Sequence, residues 1–319
     1  LVPILRSDPR FADLYQPSPY YGTYFMRCNV TREPLSNVEL RRAISMAIDR
    51  SEIVDSVTCA GEEPAWSLVP WPQAAVDRYR QRFEERTGSP IAVEVPLPWY
   101  PRAFVYGASE TRSWEHLGYD PDRARAILQQ HGYRVPCTVR ADGSRQRTGF
   151  TAGKSFPSIE YLYNSNNLHE RVGELLQAQL QRELGVELRL ANQEWGSYMD
   201  ATRGLRYDTA RAAWIGDYID PYAFLEIFRA ENPNNRTGWQ HPQYEEALEE
   251  ALVTVDVEQR SALLETAERI LLEELPVIPL YYYVTDGMRT PAIEGFVGNS
   301  LDIHFPQFWR RSDAAGAGK

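Results

Sequence analysis

Between residues 160 and 190 the hydrophobic period changes twice, and this most narrows what the chain can fold into. Glu160–Asn164 has the short, aromatic and aliphatic character of a strand. Leu168–Leu184 then places Val172, Leu175, Leu176, Leu180 and Leu184 on one side of a helix, with Gly185 as its stop. Val186–Leu190 alternates as a strand again. Strands recur at Tyr207–Trp214 and Val277–Val284, and helices are expected around Tyr222–Phe228, Tyr244–Val253 and Asp256–Glu274. Interleaved strands and one-sided helices must bury their apolar faces on one another, which gives a mixed α/β fold. Earlier in the chain, Gly22–Val30 reads as a strand rich in aromatic and β-branched residues. Ser36 and Glu39 suggest a capping box for a helix whose apolar positions, Leu40, Ile44, Ala47, Ile48 and Val54, run on to Val57. Asp120, Pro121 and Gly132 are the N-cap, first helical residue and stop of another helix, with Ala124, Ile127 and Leu128 as its apolar face.

Several function classes are set aside by what is missing. A net charge of −10 over 319 residues lacks the basic stripe that a nucleic-acid surface needs. No apolar run reaches the length of a membrane span. Cys28, Cys59 and Cys137 are odd in number and lack a CxxC, so they indicate one bridge at most and more readily three small buried thiols. The five histidines do not cluster, and His169-Glu170 has Gly173 where a zinc-protease motif needs its second histidine. GxSxG, Walker A and GxGxxG motifs are absent. Two sequons, at Asn29 and Asn235, are frequent by chance.

The segment Ala210–Phe228 holds the chemistry. Asp217 sits between an apolar strand and a helix start, in a place expected to be packed and dry, where a carboxylate needs a cationic partner. Arg211 is the cation nearest in sequence, but an extended strand keeps it too distant to guarantee pairing, so an incoming amine is a candidate. Trp195, Trp214, Tyr218, Tyr222 and Tyr281–Tyr283 lie at strand ends and turns and together suggest a ligand cleft. Asp217 and Asp220 could also form the carboxylate pair of a peptide- or glycan-acting hydrolase, although Asp220 before Pro221 reads first as a helix cap.

Five blocks, in order, resemble the peptide-binding proteins of ABC importers, solute-binding family 5, and most of all its oligopeptide-binding branch. They are the opening segment, PLSNVELRRAISMAIDRSEIV (34–54), LGYDPDRARAILQQHGY (117–133), LYNSNNLHERVGELLQAQLQRELGVELRLANQEW (162–195) and PVIPLYYYV (276–284). Residues 77–115 match poorly and look like an insertion. The resemblance implies the C-terminal lobe of a type II periplasmic-binding-protein-like fold, a mixed sheet flanked by helices, with residues 36–284 as the ligand lobe. Residues 1–35 and 285–319 would then be part of a hinge-side domain. It implies an oligopeptide ligand whose α-amino group is clamped by Asp217. Arg211, Asn164, Trp195 and Tyr283 are expected around the cleft, joined by Trp214 from its place at a strand end, and His169 is expected as a positive side chain facing a ligand carboxylate. Where close relatives have an arginine seven residues after the tryptophan of QEW, this chain has Thr202, with Arg203 beside it. The partners implied are an importer permease and a missing N-terminal lobe, at a periplasmic or cell-surface location, with no cofactor and no catalysis. A shortened interaction module that lacks the transport role is a further alternative.

Overall fold

The computed structural model describes residues 2–70, 117–141, 145–290, 292–296 and 299–312, so the expected insertion at 77–115 lies outside the described residues. In chain order the elements are α1 (Val2–Ser7), β1 (Ser18–Cys28), α2 (Val38–Met46), α3 (Arg50–Ile53), β2 (Glu63–Pro64) and α4 (Pro121–Gln130). A hairpin of β3 (Pro136–Ala141) and β4 (Arg145–Phe150) follows, then β5 (Ile159–Asn164), α5 (Asn167–Leu184), β6 (Leu188–Gln193), α6 (Trp195–Arg203) and β7 (Thr209–Ile215). The last elements are α7 (Tyr222–Leu225), α8 (Pro242–Val253), α9 (Val257–Glu274), β8 (Val277–Thr285), β9 (Ile293–Glu294) and β10 (Arg310–Arg311).

Six strands form one mixed sheet in the order β2-β8-β1-β7-β5-β6. Strand β1 runs antiparallel to both β8 and β7, whereas β5 is parallel to β6 and to β7. Alternation along the strands sends Tyr24, Met26, Tyr161 and Tyr163 into a core beneath α2, α4 and α5. Phe25, Ala212 and Val277 face the opposite core, built on α7, α8 and α9. Leu162 and Ala210 pack under α6 on that same second side. The result is a three-layer α/β/α arrangement, with residues 18–28 as an inner strand of the sheet.

Caps bound the helices largely as their side chains dictate. Asp120 accepts the Arg123 N–H, Asn166 accepts that of Leu168, and Gly185 ends α5 at φ 67°. Two expectations need correction. The Ser36 hydroxyl donates to Glu33 instead of capping, and Asn37 caps α2 through the Glu39 N–H. The long helix expected to run to Val57 breaks after Met46. Asp49 starts α3 by accepting the Ser51 and Glu52 N–H groups, and Gln179 of α5 bonds both the N–H and the carbonyl of Asp49. The break turns Arg50 inward, where it is fully buried and donates to the carbonyls of Pro279 and Leu117.

None of the three cysteines forms a disulfide with a described residue; Cys28 is buried, while Cys59 and Cys137 are only half-buried. Asn29 donates to the Leu205 and Tyr207 carbonyls, and Asn235 donates to those of Phe228, Arg229 and Trp239. Both sequon amides are therefore engaged inside the fold.

Candidate functional site

The connections around β5 create an opening. Helix α5 leaves β5 over one face of the sheet and leads out to β6; α6 returns over the other face to β7, on the far side of β5. Helices diverging to opposite faces leave a crevice at the carboxyl ends of β5 and β7, where open α/β sheets commonly take ligands.

Strand pairing shows the same gap. Strand β7 pairs with β1 along its whole length, from Cys28↔Thr209 to Gly22↔Ile215, but with β5 only at Thr209 and Ala210. Beyond Leu162, β5 continues only against β6, as far as Asn164↔Gln193. The Gly216 N–H donates to the Tyr21 carbonyl, so the backbone groups of residues 212 and 214 face β1. By alternation, those of Arg211, Ala213 and Ile215 face the gap. The Arg211 carbonyl is taken by the Tyr198 hydroxyl, and among the described residues Ala213 and Ile215 have no strand opposite them. A short, unpaired edge thus lines the crevice.

Arg211, His169 and Tyr283 come together on the α5 side of this edge. The Arg211 guanidinium lies 5.1 Å from the centre of the Tyr24 ring, which stacks on Tyr281 at 4.7 Å. Its Nη2 is 3.4 Å from the Tyr283 hydroxyl, while its Nε is shut off from solvent with no acceptor among the described residues. Burial opposes the charge, but the phenol oxygens of Tyr24, Tyr283, Tyr198 and Tyr161 hold the guanidinium pKa above its ordinary value. No carboxylate among the described residues pairs with it, so an anion in the crevice would find a cation already in place.

His169 corrects an expectation. It is buried in the first turn of α5, its Nδ1 3.4 Å from the Tyr24 hydroxyl. Burial, and then the neighbouring Arg211 charge, push it down to about 4, so it is neutral at pH 7. The positive group of this cluster is Arg211.

The other expected residues are distributed differently. Asn164 ends β5 with its Oδ1 buried and without a partner among the described residues. Trp195 opens α6, 53% exposed and stacked on Tyr198 at 5.7 Å. Trp214 belongs to the opposite core, and its indole N–H donates to the Ala223 carbonyl, so the sheet separates it from Arg211.

Asp217 is exposed rather than buried, and forms no ion pair with a described residue. The cause is Gly216, where a Cβ would come within 2.6 Å of the Tyr21 ring and 2.9 Å of Phe224. The chain is pinned there by its lack of a side chain, and residues 217–219, including Tyr218 and Ile219, emerge on the surface beyond the β7 edge. Asp220 turns back inward. It accepts the Tyr222 N–H at 2.8 Å and is bonded by both terminal nitrogens of Arg260, at 2.7 and 3.1 Å. It is thus a structural cap and ion-pair partner.

Thr202 is fully buried and its hydroxyl bonds the Met199 carbonyl; Arg203 points outward. Sequence reasoning did not single out Tyr24, Tyr161 and Tyr198, nor the backbone of Ala213 and Ile215. For Tyr24 and Tyr161 the only signal was their alternation in strands, which core packing explains equally well; Tyr198 lies on α6, where nothing in the sequence set it apart. Among the described residues, no group of three potential metal ligands occurs, and no helix is long and apolar enough to cross a membrane.

Comparison with known proteins adds an independent line. The profile of bacterial extracellular solute-binding proteins, family 5 (middle), matches residues 2–236. The chain is 26% identical over 280 residues to the oligopeptide-binding protein OppA of Bacillus subtilis, covering 88% of this chain and 43% of that protein. It is 28% identical over 276 residues to the dipeptide-binding protein DppE of the same organism, covering 86% and 43%. The solved structure of the Escherichia coli murein tripeptide binding protein MppA superposes with a TM-score of 0.70 at 25% identity, over 97% of this chain and 51% of that one. The chain spans about half the length of the relatives it matches.

Proposed function

The chain belongs to family 5 of the bacterial extracellular solute-binding proteins, and on that premise we propose that it binds short peptides along β7, with Asp217 meeting the peptide α-amino group. The observation that carries this reading is the unpaired backbone of Ala213 and Ile215, which ends two residues short of an exposed carboxylate. An extended peptide can add to such an edge as a further strand, taking affinity from main-chain hydrogen bonds and leaving its side chains free to vary. Relatives named for binding oligopeptides, dipeptides and a murein tripeptide support the same ligand class.

Within this proposal Arg211 is the counter-charge for a ligand carboxylate, His169 a neutral hydrogen-bonding partner, and Asn164, Trp195 and Tyr283 line the crevice. Trp214 supports β7 from behind. Residues 36–284 form the ligand lobe, with β1 an inner strand of its sheet, while the remainder of 1–35 and residues 285–319 contact a hinge-side domain. A first lobe closing over the peptide, an importer permease and an extracytoplasmic location complete the proposal. The hydrolase alternative loses support because Arg260 occupies Asp220, the carboxylate it would pair with Asp217.

Calorimetric titration with di- to pentapeptides tests the reading. Saturable one-to-one binding is expected, without peptide turnover. Absence of heat and of any thermal shift with every peptide would reject it.

A further inference from the structure

At the other end of the strands, where β7 begins, three arginines converge with little acid to offset them. Arg27, near the end of β1, is 6% exposed; its Nε is buried without a partner among the described residues, and its Nη2 reaches the Asn234 carbonyl only at 3.5 Å. Arg236, two residues further along that loop, is half-buried. Its Nε donates to the Pro233 carbonyl at 3.3 Å, and its Nη1 lies 3.3 Å from Met199 Sδ and 3.5 Å from Thr202 Oγ1. Arg203, the last residue of α6, is exposed, with the Asp200 carboxylate 3.7 Å away. Burial, then Arg27 and Arg203, lower the Arg236 pKa from its ordinary value. Among the described residues no carboxylate pairs with Arg27 or Arg236; the nearby Asp208 is engaged by Arg32 at 3.0 Å.

A cation this buried is costly without a counter-charge. The chain as a whole carries −10, so the concentration is not a by-product of a basic surface. Guanidinium groups with free donors are suited to bidentate capture of carboxylate, phosphate or sulfate oxygens. The cationic group beside Thr202 is delivered by the 232–237 loop, not by α6.

We propose that Arg27, Arg203 and Arg236 form a binding site for a small oxyanion between α6 and the 232–237 loop. This site is separate from the β7 edge and from Asp217, and it does not depend on the peptide reading.

The experiment titrates the full chain with inorganic phosphate and sulfate at constant ionic strength, with chloride as the control, following heat and thermal midpoint. Saturable binding is expected, weakened at least about tenfold in Arg236→Gln, whose midpoint without anion is unchanged or higher. Arg203→Gln, at an exposed position, should weaken binding less. A second arm uses peptides with free or amidated carboxyl termini. An amidation penalty that is lost in Arg236→Gln, together with competition by phosphate, identifies a peptide carboxylate as the occupant; phosphate binding with peptide affinity unchanged identifies a free anion. The proposal is overturned if neither oxyanions nor free-carboxyl peptides exceed their controls, or if Arg236→Gln matches the wild type in both arms. A chain that takes phosphate and no peptide would contradict the peptide reading alone.

Discussion

Replacing Arg211 by methionine is expected to stabilise the empty protein and weaken its ligand complex. The stacking on Tyr24 at 5.1 Å contributes about 1–2 kcal/mol. The contact with the Tyr283 hydroxyl, at 3.4 Å, is at the limit of a hydrogen bond and contributes less than about 1 kcal/mol. Against these stands a cation whose Nε is closed off from water without an acceptor, and whose removal recovers a desolvation cost of several kcal/mol. Methionine fills much of the same path among Tyr24, Tyr161 and Tyr281 and adds about 1–2 kcal/mol of apolar burial. Because Arg211 is only partly buried as a whole residue, the net gain is discounted to about 1–2 kcal/mol. Urea unfolding followed by tryptophan fluorescence measures it, and titration with a free-carboxyl peptide should show affinity reduced at least about tenfold. A variant that loses more than about 1 kcal/mol while keeping its affinity would show that Arg211 is a structural tie, and the reasoning from its missing counter-charge would fail.

Three further outcomes follow from particular groups. Glu268 is fully buried, its Oε1 accepting the Leu68 and Val69 N–H groups at 2.9 Å, and burial pushes its carboxyl up to about 8 despite those bonds. A carboxyl raised in the folded state contributes stability that is complete below its ordinary value and fades as pH rises through about 8, so the wild-type thermal midpoint should fall between pH 5 and 9 while that of Glu268→Gln stays nearly level. Parallel curves would refute this. His169 runs the other way: its lowered pKa contributes stability above pH 6.5 that is lost as pH falls through about 4, and an NMR titration midpoint above 6 would contradict its burial beside Arg211. Asp220→Asn should cost about 1 kcal/mol, from the partly exposed Arg260 pair and the Tyr222 N–H, with peptide affinity within about twofold of wild type; lost binding would move the ligand acid from Asp217 to Asp220.

Local rules carried the sequence reading where one element's own residues decide its fate. Asp120, Pro121 and Gly132 bound α4, and Leu168–Leu184 with Gly185 delimits α5, because caps and apolar stripes act within a few residues. The reading failed where distant groups decide. Gln179, 130 residues from Asp49, helps divide the expected 40–57 helix. Asp217 was expected in a dry pocket, yet the close packing of Tyr21 and Phe224 around Gly216 sends it outward. The parting of β5 from β7 depends on which strands pair and for how long, which no single segment specifies. Arg236 reaches Thr202 from a loop 34 residues away, so the cation there could not be read from α6 alone.

A two-by-two calorimetric cycle decides whether the β7 edge holds a peptide whose amine meets Asp217. A short peptide and its N-acetylated form are each titrated into the wild type and into Asp217→Asn. The wild type should lose about 2–5 kcal/mol of binding free energy on acetylation, and Asp217→Asn should be almost indifferent to it. Equal binding of the two peptides by the wild type, or an acetylation penalty that persists undiminished in Asp217→Asn, would contradict the account.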